Sequence, residues 1–438
     1  MNIIDYNDKI SEIKMDDIIF QGSDIDDYNF LEINWQLLKG CNYKCSYCFG
    51  QELLSKDFIP LEKLKLAVDK IFQIEKEYYT FTLLGGEPTY HPDFLELIKY
   101  IYSFTNKNIS ILVVSNASRN VEYFEKLLQC VGNNKFDMMF SVHFEYADIE
   151  HVKEIIFLFN KYKKNIRIHF MLHPNYQEKI KSYFDKIIEL KKDYNFIFEL
   201  IELSEPPNFN KIDSRYTKDF FEWIDNSKKI IDDIAKNSDF NLFPNSYFLD
   251  KNGNNMHIRH TLSVRNNLNV FKGFYCCAGV SLISIEPNGN YRGAVCSEFP
   301  IVGNIYDNED INWIKLINIK KCNLDRCGCI TNDRCNKYRN INNAKIYILE
   351  CRKKYLNLFV LSLLNRFDED MENINKDIKS LDSKTMVLDS KIFHVNHCID
   401  IIINTIAWWI PVKKWRENFR NKFRPDQTRP DQTRPNNM

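Results

Sequence analysis

Three cysteines, Cys41, Cys45 and Cys48, are the residues best placed to do chemistry. They stand on one short stretch, Cys41-Asn42-Tyr43-Lys44-Cys45-Ser46-Tyr47-Cys48, directly after the apolar run Leu31-Glu32-Ile33-Asn34-Trp35-Gln36-Leu37-Leu38. Cysteine thiolates hold iron–sulfur clusters, ordinarily four to a cluster. Three on one loop can hold three irons of a cubane and leave the fourth open for chemistry, whereas a fully ligated cluster mostly carries electrons. A second motif, Gly85-Gly86-Glu87-Pro88, also follows a β-rich run. Paired glycines let backbone come close to a ligand, and Glu87 offers a carboxylate to a cationic amine. Alone, the cysteines fit part of a zinc site and the glycines fit a turn. Each after its own strand, they point to one site.

This cysteine spacing, with the aromatic Tyr47 before the last cysteine and Gly-Gly-Glu-Pro downstream, resembles the radical S-adenosylmethionine (radical SAM) superfamily. The resemblance covers roughly residues 31–340. It implies a [4Fe-4S] cluster on Cys41, Cys45 and Cys48, with SAM at the open iron. By the same resemblance Gly85, Gly86 and Glu87 meet the methionyl amino group, and Tyr47 lies beside the adenine. Ser141 matches a position near the SAM carboxylate or ribose, and Ser115 and Asn116 match another. The implied activity is reductive cleavage of SAM to a 5′-deoxyadenosyl radical that abstracts a substrate hydrogen, with flavodoxin or ferredoxin as reductant.

Such residues need a scaffold, and the chain supplies an alternation of strands and helices. Helix signals cover 60–78, with Pro60 suited to the first helical position. The strand Tyr79-Thr80-Phe81-Thr82-Leu83-Leu84 runs into the glycine motif. A helix starts near Pro92, a strand follows over 109–114, and Ser115-Asn116 end it. Further strands read at 137–144, 165–172 and 195–203, with amphipathic helices near 148–162 and 177–191 and another over 216–235. This alternation predicts an α/β fold with a parallel sheet, here a partial (β/α)6 barrel. Reacting groups gather at the C-terminal ends of parallel barrel strands, which is where all three motifs fall. Ser141, His143 and Glu145 alternate with apolar neighbours, as do Arg167, His169, Met171 and His173. Period two puts each set on one face, predicting a polar lumen. His143 and His169 read more readily as core histidines than as catalytic ones.

Totals bound the rest. At 438 residues the chain exceeds one ordinary core, and its 59 basic and 59 acidic residues cancel, so no nucleic-acid partner is expected. Thirteen cysteines, unevenly clustered, suit metal binding in a reducing cytosol better than a disulfide framework. The first residues lack a signal-peptide pattern, and no apolar run is long enough to span a bilayer. A cytoplasmic protein is the expectation.

Cysteines return at Cys276, Cys277, Cys296, Cys322, Cys327, Cys329 and Cys335, around a predicted hairpin Ile283-Ser284-Ile285-Glu286-Pro287-Asn288-Gly289-Asn290-Tyr291 and a Gly303-Asn304 turn. This arrangement resembles the SPASM or shorter twitch extension, which implies one or two auxiliary [4Fe-4S] clusters on Cys277, Cys296, Cys322, Cys327, Cys329 and Cys335. A zinc-stabilised loop is the alternative. From Leu364 to Ile402 apolar residues recur at steps of three and four, predicting a coiled coil and a homo-oligomer; one amphipathic helix folded back on the barrel is the alternative. Beyond it, Trp408, Trp409, Lys413, Lys414, Trp415, Arg416, Phe419 and Arg420 interleave basic and aromatic residues, which suits a peripheral inner-membrane contact and resembles tails of bacterial surface-carbohydrate glycosyltransferases. RNA contact by the same chemistry is the alternative.

The expected organisation is an N-terminal extension (1–30), the barrel (31–235), a linker or cap (236–272), the cysteine-rich module (273–340), the coiled coil (344–404), the basic aromatic segment (405–424) and a disordered repeat tail (425–438). The tail favours a sugar or sugar-linked substrate. A SPASM-type peptide or protein maturase is the second reading, and a non-catalytic, metal-stabilised coiled-coil scaffold the third.

Overall fold

The computed structural model describes residues 4–5, 7–22, 29–48, 50, 58–204, 212–235, 245–259, 263, 266–327, 335–356 and 371–372. The chain divides into two units, Met1–Arg352 and Lys353–Met438. The described residues of the second unit, 353–356 and 371–372, are helical. Beyond the helix over 341–356, the expected coiled coil lies almost wholly outside the described residues. The basic aromatic segment and the repeat tail lie entirely outside them.

In the first unit, strands β1 (Ile4–Asp5) and β2 (Ile18–Gly22) precede the alternating run β3 (Phe30–Leu38), α1 (Leu61–Phe72), β4 (Tyr78–Gly85), α2 (Phe94–Tyr102), β5 (Asn108–Ser115), α3 (Val121–Val131), β6 (Lys135–His143), α4 (Ile149–Lys161), β7 (Asn165–Leu172), α5 (Gln177–Leu190), β8 (Ile197–Glu202) and α6 (Lys218–Ala235). Strands β3 to β8 lie side by side in chain order, every pair parallel. This is the expected α/β class. Two elements differ from the sequence pattern. Helix α1 stops at Phe72, because Tyr78 already pairs with Phe30 in the sheet. Between the third and fourth barrel strands the pattern names no helix, yet α3 forms there. The Asn120 side chain caps its start by accepting from Tyr123 N at 3.0 Å, and Gly132, at φ 56°, ends it.

Alternation along the strands decides the core. Trp35, Phe81, Phe170 and Phe198 are fully buried on the helix-facing side, each contributing roughly 1.5–3 kcal/mol by leaving water. Asp137, Ser141 and His143 on β6, and Arg167 and Met171 on β7, are half-buried on the opposite face, with His169 buried among them.

The unit also holds a second sheet and an extension of the first. Strands β9 (Asn245–Asp250) and β10 (Asn255–Arg259) form an antiparallel hairpin, and β2 pairs with β9. With β1, β11 (Tyr275–Ala278), β15 (Asn318–Lys321) and β16 (Lys337–Tyr338) they make a second, seven-stranded sheet. Within the expected linker or cap (236–272), the described residues 245–259 therefore form a hairpin. Its turn is closed by Asp250, which accepts from Asn252 N and Asn254 N. Asn252 and Asn254 build that turn. Meanwhile β12 (Leu282–Ile285) and β13 (Asn290–Arg292), the expected hairpin, join the barrel sheet: β12 pairs in parallel with β3, and β13 pairs with β14 (Gly303–Asn304). The following loop is fastened to the barrel by Lys70 of α1, a buried side chain whose Nζ donates to the carbonyls of Ile305 and Asp307. Trp35 Nε1 also donates to Tyr306 Oη at 3.1 Å. No helix among the described residues is long and apolar enough to cross a membrane.

Candidate active site

The cysteine loop leaves the C-terminal end of β3 and lies against the end of β4. Gly86 N donates to Leu38 O at 2.8 Å, and Glu87 N to Gly40 O at 3.1 Å. A Cβ on Gly85, whose φ is 138°, would stand 2.2 Å from Leu38 O; one on Gly86 would stand 1.9 Å from Gly40 O. Any side chain at either position would push the loop off the strand. The glycines thus do more than open space for a ligand, the role expected of them: they let the chain's own backbone seat the entrance of the cysteine loop.

Glu87 is also held by the chain itself. It is fully buried, and its carboxylate accepts four hydrogen bonds from the chain itself. Oε1 takes Thr89 N at 3.2 Å, Thr89 Oγ at 2.6 Å and Ser115 Oγ at 2.8 Å, while Oε2 takes Asn116 N at 2.7 Å. Burial pushes its pKa up, and these donors pull against that shift. Saturated in this way, the carboxylate is a junction between the ends of β4 and β5. Ser115 and Asn116, expected at the SAM site, complete this junction, and Asn116 extends it to the loop. Its Nδ2 lies 3.0 Å from Asn42 Oδ1 and 3.6 Å from Cys41 Sγ. Asn42 in turn donates to Ser118 Oγ at 2.9 Å.

Around the loop, Cys45 is buried while Cys41 and Cys48 are half-buried. Cys45 and Tyr47 pack with Leu203, and Cys48 and Met171 pack against them. Burial, and then the charge of Glu145, push the Cys45 thiol up to about 12. Burial likewise raises Cys41. Tyr47 Oη lies 2.6 Å from His143 Nδ1, and the two rings stack with centroids 5.9 Å apart. Ser141 sits opposite His169 in the β6–β7 register, two residues deeper than His143. A pocket of about 380 Å³ beside the loop is lined by Tyr43, Asn116, Arg119, His143, Tyr146 and His151, among others. Glu145, Tyr146 and His173 also touch the loop, at roles that sequence reasoning missed. The lumen-side alternation of Glu145 and His173 was the one available signal.

The expected cluster and SAM fit these residues. Three thiols stand on one short loop at the strand ends, and Cys41 Sγ already accepts from Tyr43 N at 3.4 Å and faces the Asn116 amide, the kind of hydrogen bond that tunes cluster sulfurs.

The later cysteines form a separate group. Cys276, Cys296, Cys322, Cys327 and Cys335 line one small pocket of about 40 Å³ with Lys320, Lys321 and Lys337. A cysteine contact from Cys335, followed by the Lys337 charge, lowers the pKa of the Cys276 thiol. Cys277, expected among the ligands, does not line this pocket. Successive strand residues face opposite ways, so β11 turns Cys276 toward it and buries Cys277 against the helix over 341–356, with Sγ 3.9 Å from Ala344 O. Cys329 lies outside the described residues. Among the described residues no three His, Cys, Asp or Glu side chains are drawn in around a single ion.

Residues 35–204 match the family model described as the Radical SAM superfamily. This segment is a radical SAM domain. A GTP 3′,8-cyclase from Microcystis aeruginosa is 30% identical over 74 residues, which are 16% of this chain and 22% of that protein. A protein of Methanocaldococcus jannaschii, provisionally named as a glycyl-radical enzyme activating enzyme, is 39% identical over 71 residues, 15% and 25% of the two chains. The chain thus spans a quarter or less of these curated relatives. Among solved structures, anSMEcpe with bound AdoMet is 20% identical with a TM-score of 0.45, covering 66% of this chain and 80% of that one. Streptococcus suis SuiB bound to its precursor peptide SuiA is 16% identical with a TM-score of 0.44, covering 66% and 65%.

Proposed function

We propose that Cys41, Cys45 and Cys48 hold the [4Fe-4S] cluster, and that this enzyme uses SAM to abstract a hydrogen from a substrate held at the barrel mouth. The observation that carries the reading is the seating of the three-cysteine loop: Gly85 and Gly86 admit it to the end of β4, and Asn116 reaches Cys41 from the end of β5. When bound, the cluster and SAM supply a radical that takes a substrate hydrogen. The chain's own residues orient and shield. Glu87, Ser115 and Asn116 fix the strand ends, Tyr47 and His143 present aromatic faces beside the loop, and the polar lumen of β6 and β7 receives the substrate. An external reductant, a flavodoxin or ferredoxin, is required.

The five-thiol pocket supports a second, auxiliary iron–sulfur centre. For the substrate, the basic aromatic tail favours a sugar or sugar-linked intermediate of a surface-carbohydrate pathway. The SPASM-like hairpin and cysteines favour a peptide or protein, the second reading. Anaerobic reconstitution tests the whole. Iron and sulfide bound to the full chain, with dithionite-dependent release of 5′-deoxyadenosine from SAM that is lost in Cys41→Ala, is the expected result. Zinc alone and no SAM cleavage would overturn it. Uptake of deuterium into 5′-deoxyadenosine from perdeuterated sugar nucleotides, against deuterated peptides, separates the two substrate classes.

A further inference from the structure

Beyond the strand-end junction at Glu87, the cysteine loop is held from a second side by residues that follow β6 and β7. Ser46 stands between the ligands Cys45 and Cys48. Its backbone N–H points at both carboxylate oxygens of Glu145, at 3.2 and 3.0 Å. Its Oγ lies 2.9 Å from His173 Nε2. His173 Nδ1 accepts from Asn175 N at 3.1 Å, so in the neutral ring Nε2 carries the proton and donates to Ser46. The His173 side chain is 2% exposed and that of Glu145 17%. One residue further along, Tyr146 accepts from Lys44 N at 3.0 Å and stacks on Tyr43 with centroids 4.2 Å apart.

We infer that Glu145 is a positioning residue for the cluster loop, fixing its middle through the Ser46 amide and placing one negative charge beside Cys45 and Cys48. The inference rests on the radical SAM reading for the second of these effects. A backbone N–H bonded to a carboxylate is a charge-assisted hydrogen bond, about twice as strong as a neutral one. It pins the peptide that joins one ligand to the next. A fixed negative charge beside a cluster opposes the arrival of an electron, so it draws the midpoint potential down and makes the reduced cluster a stronger donor. The nearest lysine on the loop, Lys44, is exposed and its charge is screened by water.

The test uses the full chain in two states. In the cluster-free protein, hydrogen exchange over residues 44–48 should be slow in the wild type, fast in Glu145→Ala and close to wild type in Glu145→Gln, which keeps one accepting oxygen. Unchanged exchange in Glu145→Ala overturns the latch. In the reconstituted protein, an electron paramagnetic resonance redox titration should show a higher midpoint for Glu145→Gln at unchanged iron content, hence a larger reduced fraction at a fixed ambient potential. An equal or lower midpoint overturns the charge effect. A wild-type chain that assembles no cluster overturns the radical SAM reading instead, and the exchange measurement then decides the latch by itself.

Discussion

Replacing Glu87 separates two roles that its motif allows. A ligand for the SAM amine would leave the fold intact when truncated and weaken only SAM binding. A buried junction would destabilise the domain. In Glu87→Gln, the amide oxygen can take the place of Oε1 and keep the bonds from Thr89 and Ser115. The amide nitrogen then opposes Asn116 N–H, which now bonds Oε2 at 2.7 Å. One charge-assisted hydrogen bond is lost and two donors face each other, at a cost of about 2–3 kcal/mol. In Glu87→Ala the two hydroxyls can turn to other acceptors, but two buried N–H groups are stranded and a cavity is left. The loss should reach roughly 3–5 kcal/mol, a large share of the ~5–15 kcal/mol that holds a typical domain together. Urea unfolding of the wild type and both variants, compared at equal m-values, measures these differences. Loss of less than ~0.5 kcal/mol in Glu87→Gln, with weakened SAM binding, would refute the junction and restore the ligand role. Because Asn116 links the junction to Cys41, both variants should also retain less iron.

Two further outcomes follow from the geometry. Burial holds the His143 imidazole down to about 4 from its ordinary 6.5, so the unfolded chain takes up that proton first. Its contribution to stability is whole above pH 6.5 and is lost as the pH falls through about 4. The difference in urea stability between wild type and His143→Gln should therefore change over that window, and parallel curves would show that the ring is not held neutral. At the second cysteine group, Cys276→Ala should lower the iron content of the reconstituted chain toward that of one cluster, whereas Cys277→Ala should leave it unchanged. The opposite pattern would mean that β11 presents its other face to the metal.

Much of the barrel could be read from local pattern. A period of two followed by a helical period marks β4, β5, β6, β7 and β8 to within about two residues, because strand and helix leave those periods in any sequence that buries one face. The cysteine loop and Gly85-Gly86-Glu87 could be placed at strand ends for the same reason. What could not be read is which distant groups meet. The Asn-rich stretch 241–267 gave no hint that β9 pairs with β2, more than two hundred residues earlier. Nor does the hairpin of β12 and β13 carry any mark that it extends the barrel sheet beside β3.

The reactive inventory is written in the sequence: three thiols on one loop, a glycine pair at the next strand end, and an alternating scaffold to present them. The folded chain adds what Glu87 touches, that Gly85 and Gly86 seat the loop, that Glu145 and His173 grip Ser46, and that Cys276 rather than Cys277 faces the other thiols. The physical reason is common to all four. Backbone periodicity is set by neighbours along the chain, whereas a hydrogen-bond partner or a buried face is set by whichever strand the sheet brings alongside.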